Sequence, residues 1–160
     1  MTNETSTSRR TLVATALAFG LAPAFAQRKN DSIEVWKDPN CGCCKDWVKH
    51  LEAAGFAVKV NDSDNNAARS RLGVDPKFGS CHTGLVGGYA IEGHVPAKDI
   101  KRLLTERPAA IGLAVPGMPV GSPGMDGPAY DNRREPFEVL LLTRDGGSQV
   151  FQRYEGHAKA

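Results

Sequence analysis

This sequence has no excess of charge of either sign. Its 20 Lys and Arg stand against 18 Asp and Glu, a formal net charge of +2, and the two signs are mixed along the chain. It therefore lacks the basic stripe that would follow a nucleic-acid backbone or an anionic membrane surface, and nucleic acid is set aside as a partner. A long apolar run is missing too: Leu12 to Ala22 falls short of the roughly 20 residues a spanning helix needs, and Pro23 ends it. Cysteine is scarce and unevenly placed, since three of the four lie in Cys41-Gly42-Cys43-Cys44 and only Cys81 lies elsewhere. Neighbouring cysteines close only trivial loops, so a purely structural disulfide framework is a poor reading; at most one bridge, from Cys81 to the cluster, would stabilise much. No internal repeat is present.

The first residues read as a targeting segment. Polar Met1 to Thr11 contains Arg9-Arg10, an apolar stretch follows, and Ala24-Phe25-Ala26 suits signal-peptidase cleavage. A signal peptide is expected over 1–26, with a mature chain from about Gln27 and a periplasmic location without a membrane span. Ser8-Arg9-Arg10-Thr11-Leu12 also resembles the twin-arginine export signal, with the general route as the alternative. The remaining 27–160, at the 41% hydrophobic content of the whole, suits one domain.

Along that domain, Ile33 to Trp36 reads as a strand and Asp38-Pro39-Asn40 as a turn. Cys44, Trp47, Val48, Leu51 and Ala54 then follow helical spacing up to a stop at Gly55, with Trp47 in the core and His50 on the solvated face beside Asp46 and Lys49. Phe56 to Val60 alternates as a strand, Asn65 to Leu72 reads as a short helix stopped by Gly73, and Asp75 to Gly79 is a connector. Leu85-Val86 and Tyr89 to Ile91 flank Gly87-Gly88 as a tight hairpin, and Pro96 opens a helix buried along Ile100, Leu103 and Leu104. The order βαβ, α, ββα is a thioredoxin-like α/β arrangement. In that arrangement the loop before the hairpin lies beside the N-terminus of the first helix, which brings Cys81 and His82 to Cys41 and Cys44.

From Pro108 to Pro136 six prolines interrupt the pattern, and Pro116 to Met125 can be neither helix nor central strand. This Gly/Pro/Met-rich loop holds the two methionines of the mature chain, Met118 and Met125, which favours a functional lid over a linker. Phe137 to Leu142 and Gln149 to Phe151 form a C-terminal hairpin across Asp145-Gly146-Gly147, and His157 falls in a frayed tail.

Taken together, Trp36 to Cys44, Ser80-Cys81-His82-Thr83, Glu92 to Pro96, Gly117-Met118-Pro119 and Gly121 to Met125 resemble the CopG-type bacterial copper-resistance proteins. The resemblance implies an exported, thioredoxin-like metal-binding protein associated with copper and silver resistance. It further implies a cysteine-bridged site for more than one copper ion on Cys41, Cys43, Cys44 and Cys81. His82, His94, Met118 and Met125 carry over as candidates for further ligands or for partners of ligands, and other periplasmic copper-handling proteins as partners.

The chemistry of the residues agrees. Cuprous copper is soft and prefers thiolate and thioether donors, and crowded sulfurs can bridge several ions. Unpaired N–H groups at a helix N-terminus favour thiolate. Helical geometry puts Cys41 and Cys44 on one face, with Cys43 about 100° away as a flanking third. Zinc frameworks usually place paired ligands on two separate knuckles, not three on one. The rival reading is an enzyme, a thiol-disulfide oxidoreductase with Cys41 as attacking thiolate and Cys44 as resolving thiol.

Overall fold

The structure is a computed structural model that describes residues 32–156. The signal segment 1–26, its cleavage point and His157 lie outside the described residues.

The chain forms β1 (Ser32–Lys37), α1 (Gly42–Ala53), β2 (Ala57–Asp62), α2 (Asn66–Arg71), β3 (His82–Val86), β4 (Tyr89–Glu92), α3 (Ala97–Glu106), β5 (Gly112–Ala114), β6 (Phe137–Leu142) and β7 (Ser148–Tyr154), with single 3-10 turns at Pro76–Phe78 and Pro128–Tyr130. One seven-stranded mixed sheet results, in the order β2-β1-β3-β4-β5-β6-β7. β1 runs parallel to β2 through α1, β3 pairs antiparallel to β1, and β4 returns antiparallel to β3. The turn between β3 and β4 needs Gly87 and Gly88, whose φ values of 56° and 90° are both left-handed. In register, Lys37 stands opposite His82 and Thr83 opposite Glu92, so the first residues of β3 are held between the ends of β1 and β4.

α1 buries the stripe read from its spacing, Cys44, Trp47, Val48 and Leu51. The last three of these, Trp47, Val48 and Leu51, form the main core with Ile33 and Val35 of β1, Ile91 of β4, Ile100 and Leu103 of α3, and Leu113 of β5. Burying each such side chain contributes about 1.5–3 kcal/mol. Trp47 is wholly buried and its Nε1–H donates to the Val95 carbonyl at 2.9 Å, which ties α1 to the segment that enters α3.

Two expectations are corrected. The stretch from Pro108 to Pro136 is not loop throughout. Ala110 and Gly112 to Val115 are buried, and β5 pairs parallel to β4 and antiparallel to β6, which draws the C-terminal hairpin into the same sheet. Proline density hid a three-residue strand. Its Gly112 is demanded by close approach, because an added Cβ would lie 1.8 Å from the Ala90 carbonyl oxygen. His50, read as solvated, is half-buried, and its Nε2 accepts the Ala97 N–H at 3.0 Å. A side chain of α1 thus satisfies an N–H that Pro96, the residue before α3, cannot cap with its own side chain.

Candidate metal centre

Cys41 is the N-cap of α1, in extended conformation, with its own N–H on the Asp38 carbonyl at 3.1 Å. Its Sγ accepts the Cys44 N–H at 3.4 Å. Cys41 and Cys44 are joined by a disulfide, while Cys43 and Cys81 carry free thiols. Cys43 Sγ lies 3.5 Å from Cys41 Sγ and 3.9 Å from Cys81 Sγ, and Cys44 Sγ lies 3.4 Å from Cys81 Sγ. All four sulfurs fall within 4.8 Å of one another. Cys41 and Cys44 meet directly, and Cys43 flanks them. Cys41 sits outside the helix as its cap, so its side chain folds back over the first turn and meets both Cys43 and Cys44.

The two histidines complete one side of this cluster. His82 is fully buried, with Nε2 2.9 Å from the Gly93 carbonyl and Nδ1 3.4 Å from Cys81 Sγ. His94, equally buried, has Nδ1 2.8 Å from the Pro123 carbonyl and Nε2 3.1 Å from Cys81 Sγ. A carbonyl only accepts, so each ring must place its N–H on that side and turn a bare nitrogen toward Cys81. Cys81, His82 and His94 form a second convergent group around the same sulfur. The ring of Trp47 lies 4.1 Å from that of His82, centroid to centroid, and closes the apolar side.

Burial sets the protonation of these groups. It holds the His82 imidazole well below the usual histidine range, with neighbouring His94 adding to the effect, and holds His94 below it as well. Both rings are therefore neutral, the form that ligates metal. Burial also pushes the Cys81 thiol up to about 12, with Cys43 adding to the shift. The thiolate-favouring position argued for the cluster does not extend to Cys81, which meets the start of α1 from the loop before β3 and is not itself part of the helix. Metal binding there must displace a firmly held proton.

The Gly/Pro/Met-rich loop wraps the site. Residues 116–125 contain neither helix nor strand, as read. The Ser80 hydroxyl donates to the Gly117 carbonyl, Pro123 accepts from His94, and Gly124 packs on the first turn of α1. Met118, next to the first of these contacts, is 51% exposed, and Met125, next to the last, is half-buried. The structure thus brings Cys41, Cys43, Cys44, Cys81, His82 and His94 together and sets the two methionines at the two ends of the loop that covers them. Sequence reasoning missed the Pro123 carbonyl and Gly124. The only signal for them was the glycine and proline spacing itself.

The donor set is four sulfurs and two imidazole nitrogens, and among the described residues no carboxylate joins either group. Such a set suits soft or borderline metals and not the hard cations that require oxygen. Fold and site define an α/β protein with a sulfur-rich cluster able to bind metal. A family described as "Protein of unknown function, DUF411" matches residues 78–125, the part that carries Cys81, both histidines and the loop. A comparison with curated protein sequences finds no match. Two solved structures, "Copper resistance protein copG- Form 1" and "Form 2", are similar at 51% identity each, with TM-scores of 0.71 and 0.70. They cover 78% and 77% of this chain and 98% and 97% of their own. The chain belongs to the CopG copper-resistance protein family. Among the described residues no helix is long and apolar enough to cross a membrane.

Proposed function

We propose that this chain is an exported copper-binding protein that holds more than one cuprous ion as cargo on Cys41, Cys43, Cys44 and Cys81, in the service of copper, and by the same chemistry silver, resistance. The observation that carries the reading is the convergence of four Sγ atoms within 4.8 Å, three from one helix start and one from the loop before β3. Sulfurs at such spacing can be shared between ions, and three of them on one helix start, not paired on two separate knuckles, favour several soft monovalent ions over one tetrahedral zinc. The sheet order β2-β1-β3-β4 with its α1 crossover supports a thioredoxin-like core, which β5, β6 and β7 extend.

Loading follows from the state of the cysteines. The Cys41–Cys44 disulfide must first take two electrons and two protons from a dithiol or equivalent reductant, which yields four thiols. Cuprous ions then replace thiol protons, and the bare nitrogens of His82 and His94 stand beside Cys81 as neutral donors. Met118 and Met125, at the two ends of the loop over the site, stand as candidate thioether ligands. Export through the 1–26 signal places the site in the periplasm, where other copper-handling proteins deliver or collect the ions.

Elemental analysis of the reduced, anaerobically loaded protein tests this. More than one copper per chain is expected, falling in Cys43→Ser. At most one, unchanged by that substitution, removes the multinuclear reading. The Cys41–Cys44 disulfide at a helix N-terminus specifically favours the second reading, a thiol-disulfide oxidoreductase. Cys81→Ser separates the two: it collapses copper affinity if Cys81 closes a metal site, and leaves insulin-type reductase activity intact if Cys41 and Cys44 exchange disulfides by themselves.

A further inference from the structure

Beneath the metal-facing side of Cys81 lies a buried ion pair that the site's own chemistry does not use. Glu92, the last residue of β4, is fully buried, and Arg69 of α2 reaches it with its side chain 12% exposed. Arg69 Nε and Nη2 donate to Glu92 Oε1 at 2.9 and 2.8 Å, and the Thr83 hydroxyl donates to Oε2 at 2.6 Å. The pairing of Arg69 with Glu92 is not legible in the sequence, because an arginine and a glutamate 23 residues apart look like ordinary surface charges.

The target of this pair is Ser80, the residue before Cys81. The Ser80 N–H donates to Glu92 Oε1 at 2.7 Å. Its carbonyl accepts from Arg69 Nη2 at 2.6 Å and from Asn65 Nδ2 at 3.3 Å, and that same amide nitrogen lies 3.3 Å from the Thr83 hydroxyl. Both backbone polar groups of Ser80 are thus fixed by one buried carboxylate–guanidinium pair, and its hydroxyl is fixed by Gly117 of the loop. On the other side Glu92 leads directly into Gly93 and His94. Gly93 packs so closely on Ser80 that an added Cβ would lie 2.6 Å from the Ser80 Cβ. The segments that carry Cys81 and His94 are therefore clamped to each other at Ser80, Glu92 and Gly93.

We infer that Arg69 and Glu92, with Thr83 and Asn65, are positioning residues for the metal site: they fix the Ser80 backbone so that Cys81 Sγ meets the sulfurs of α1 and the nitrogen of His94. Isolated buried ion pairs are poor sources of stability, since desolvation offsets their attraction. One that also accepts the N–H and donates to the carbonyl of the residue before a ligand is spent on geometry, the role that outer hydrogen-bond partners have at metal sites. The inference rests on the copper-binding reading for its function but not for its geometry, and the two are separable by experiment.

Arg69→Lys removes the two-point fork while keeping the charge, Thr83→Val removes one hydroxyl at constant shape, and Glu92→Gln removes the anion. Ile100→Val, a core truncation in α3, serves as the control for lost stability alone. In the reduced, Cu(I)-loaded full chain, Arg69→Lys and Glu92→Gln should lower Cu(I) retention against a chromogenic chelator by about 10-fold or more. Ile100→Val should leave it within about 2-fold at a comparable fall in melting temperature. A second arm needs no metal. In Cys43→Ser protein with the Cys41–Cys44 disulfide intact, Cys81 is the sole free thiol among the described residues, and its alkylation by iodoacetamide should quicken severalfold on adding Arg69→Lys or Thr83→Val, below the melting transition. Should Glu92→Gln not fold, the other two variants carry both arms. Wild-type Cu(I) retention and unchanged alkylation overturn the inference, as do losses no larger than those of Ile100→Val at equal stability. A wild-type protein that holds no copper removes the metal reading instead and leaves the alkylation rates to decide the positioning.

Discussion

Replacing Gly124 by alanine should lift the loop from α1. Gly124 has φ of +85°, and an added Cβ would stand 2.6 Å from the Cys43 carbonyl oxygen and 2.7 Å from the Trp47 nitrogen. Both obstacles are backbone of a helix whose Trp47 is wholly buried, so neither can rotate aside. Left-handed backbone costs an alanine roughly 1–2 kcal/mol. Relieving the overlap by moving the loop gives up the neighbouring bond from His94 to Pro123, about 1 kcal/mol. The sum, about 2–3 kcal/mol, corresponds to a fall in melting temperature of roughly 8–12 °C for a domain of this size. Because His94 would lose the acceptor that fixes its tautomer, Cu(I) retention against a competing chelator should fall together with stability. Gly117→Ala provides the comparison: its φ is +69° but nothing lies within 4 Å of the added Cβ, so only the backbone cost of roughly 1–2 kcal/mol applies. Thermal melts and chelator competition on both variants check the reasoning. Gly124→Ala with the melting temperature and copper retention of Gly117→Ala would refute it.

Met118→Leu and Met125→Leu should keep the melting temperature within about 2 °C and weaken copper retention, since each leaves an apolar side chain of similar volume without sulfur; equal retention would mark them as packing residues. His50 gives a pH signature. Burial depresses its pKa in the folded chain while nearby Asp126 opposes the shift, so the unfolded chain binds the proton more readily. Stability from this group is full above the unfolded value near 6.5 and is lost as pH falls through and below it. His50→Gln should flatten that acid limb in urea titrations between pH 7 and 5, whereas an unchanged slope would exclude His50 as its source. Tyr154→Phe deletes the hydroxyl that donates to Asp99, a buried carboxyl on α3, and should cost about 1–3 kcal/mol by denaturant unfolding.

What the sequence made legible follows from whether the signal was local. α1 was readable because Cys44, Trp47, Val48 and Leu51 repeat at helical spacing and all four are buried. The hairpin at Gly87-Gly88 was readable because only glycine takes two successive left-handed conformations cheaply. β5 was not: three residues carry no period, and what makes them a strand is pairing with β4 and β6 on either side. His50 likewise looked solvated on its own helix, since the N–H it accepts belongs to Ala97, 47 residues later. At the site, the four cysteines and two histidines were recoverable as residue types. The order in which they touch was not, because it depends on Cys41 being a cap and on Ser80 being held from β4 and α2.

The unequal division of the site along the chain bears on folding thermodynamics. Cys41, Cys43 and Cys44 stay neighbours in a denatured chain, whereas Cys81 and the histidines join them only once β3 has paired with β1 and β4. A cation that binds the native state stabilises it only to the extent that the unfolded state does not bind it as well. Here the unfolded polypeptide keeps a chelating triplet of its own, so the cargo should raise the melting temperature far less than its native affinity would suggest. The increment that it does add measures what the folded chain contributes beyond that triplet, Cys81, His82 and His94 foremost.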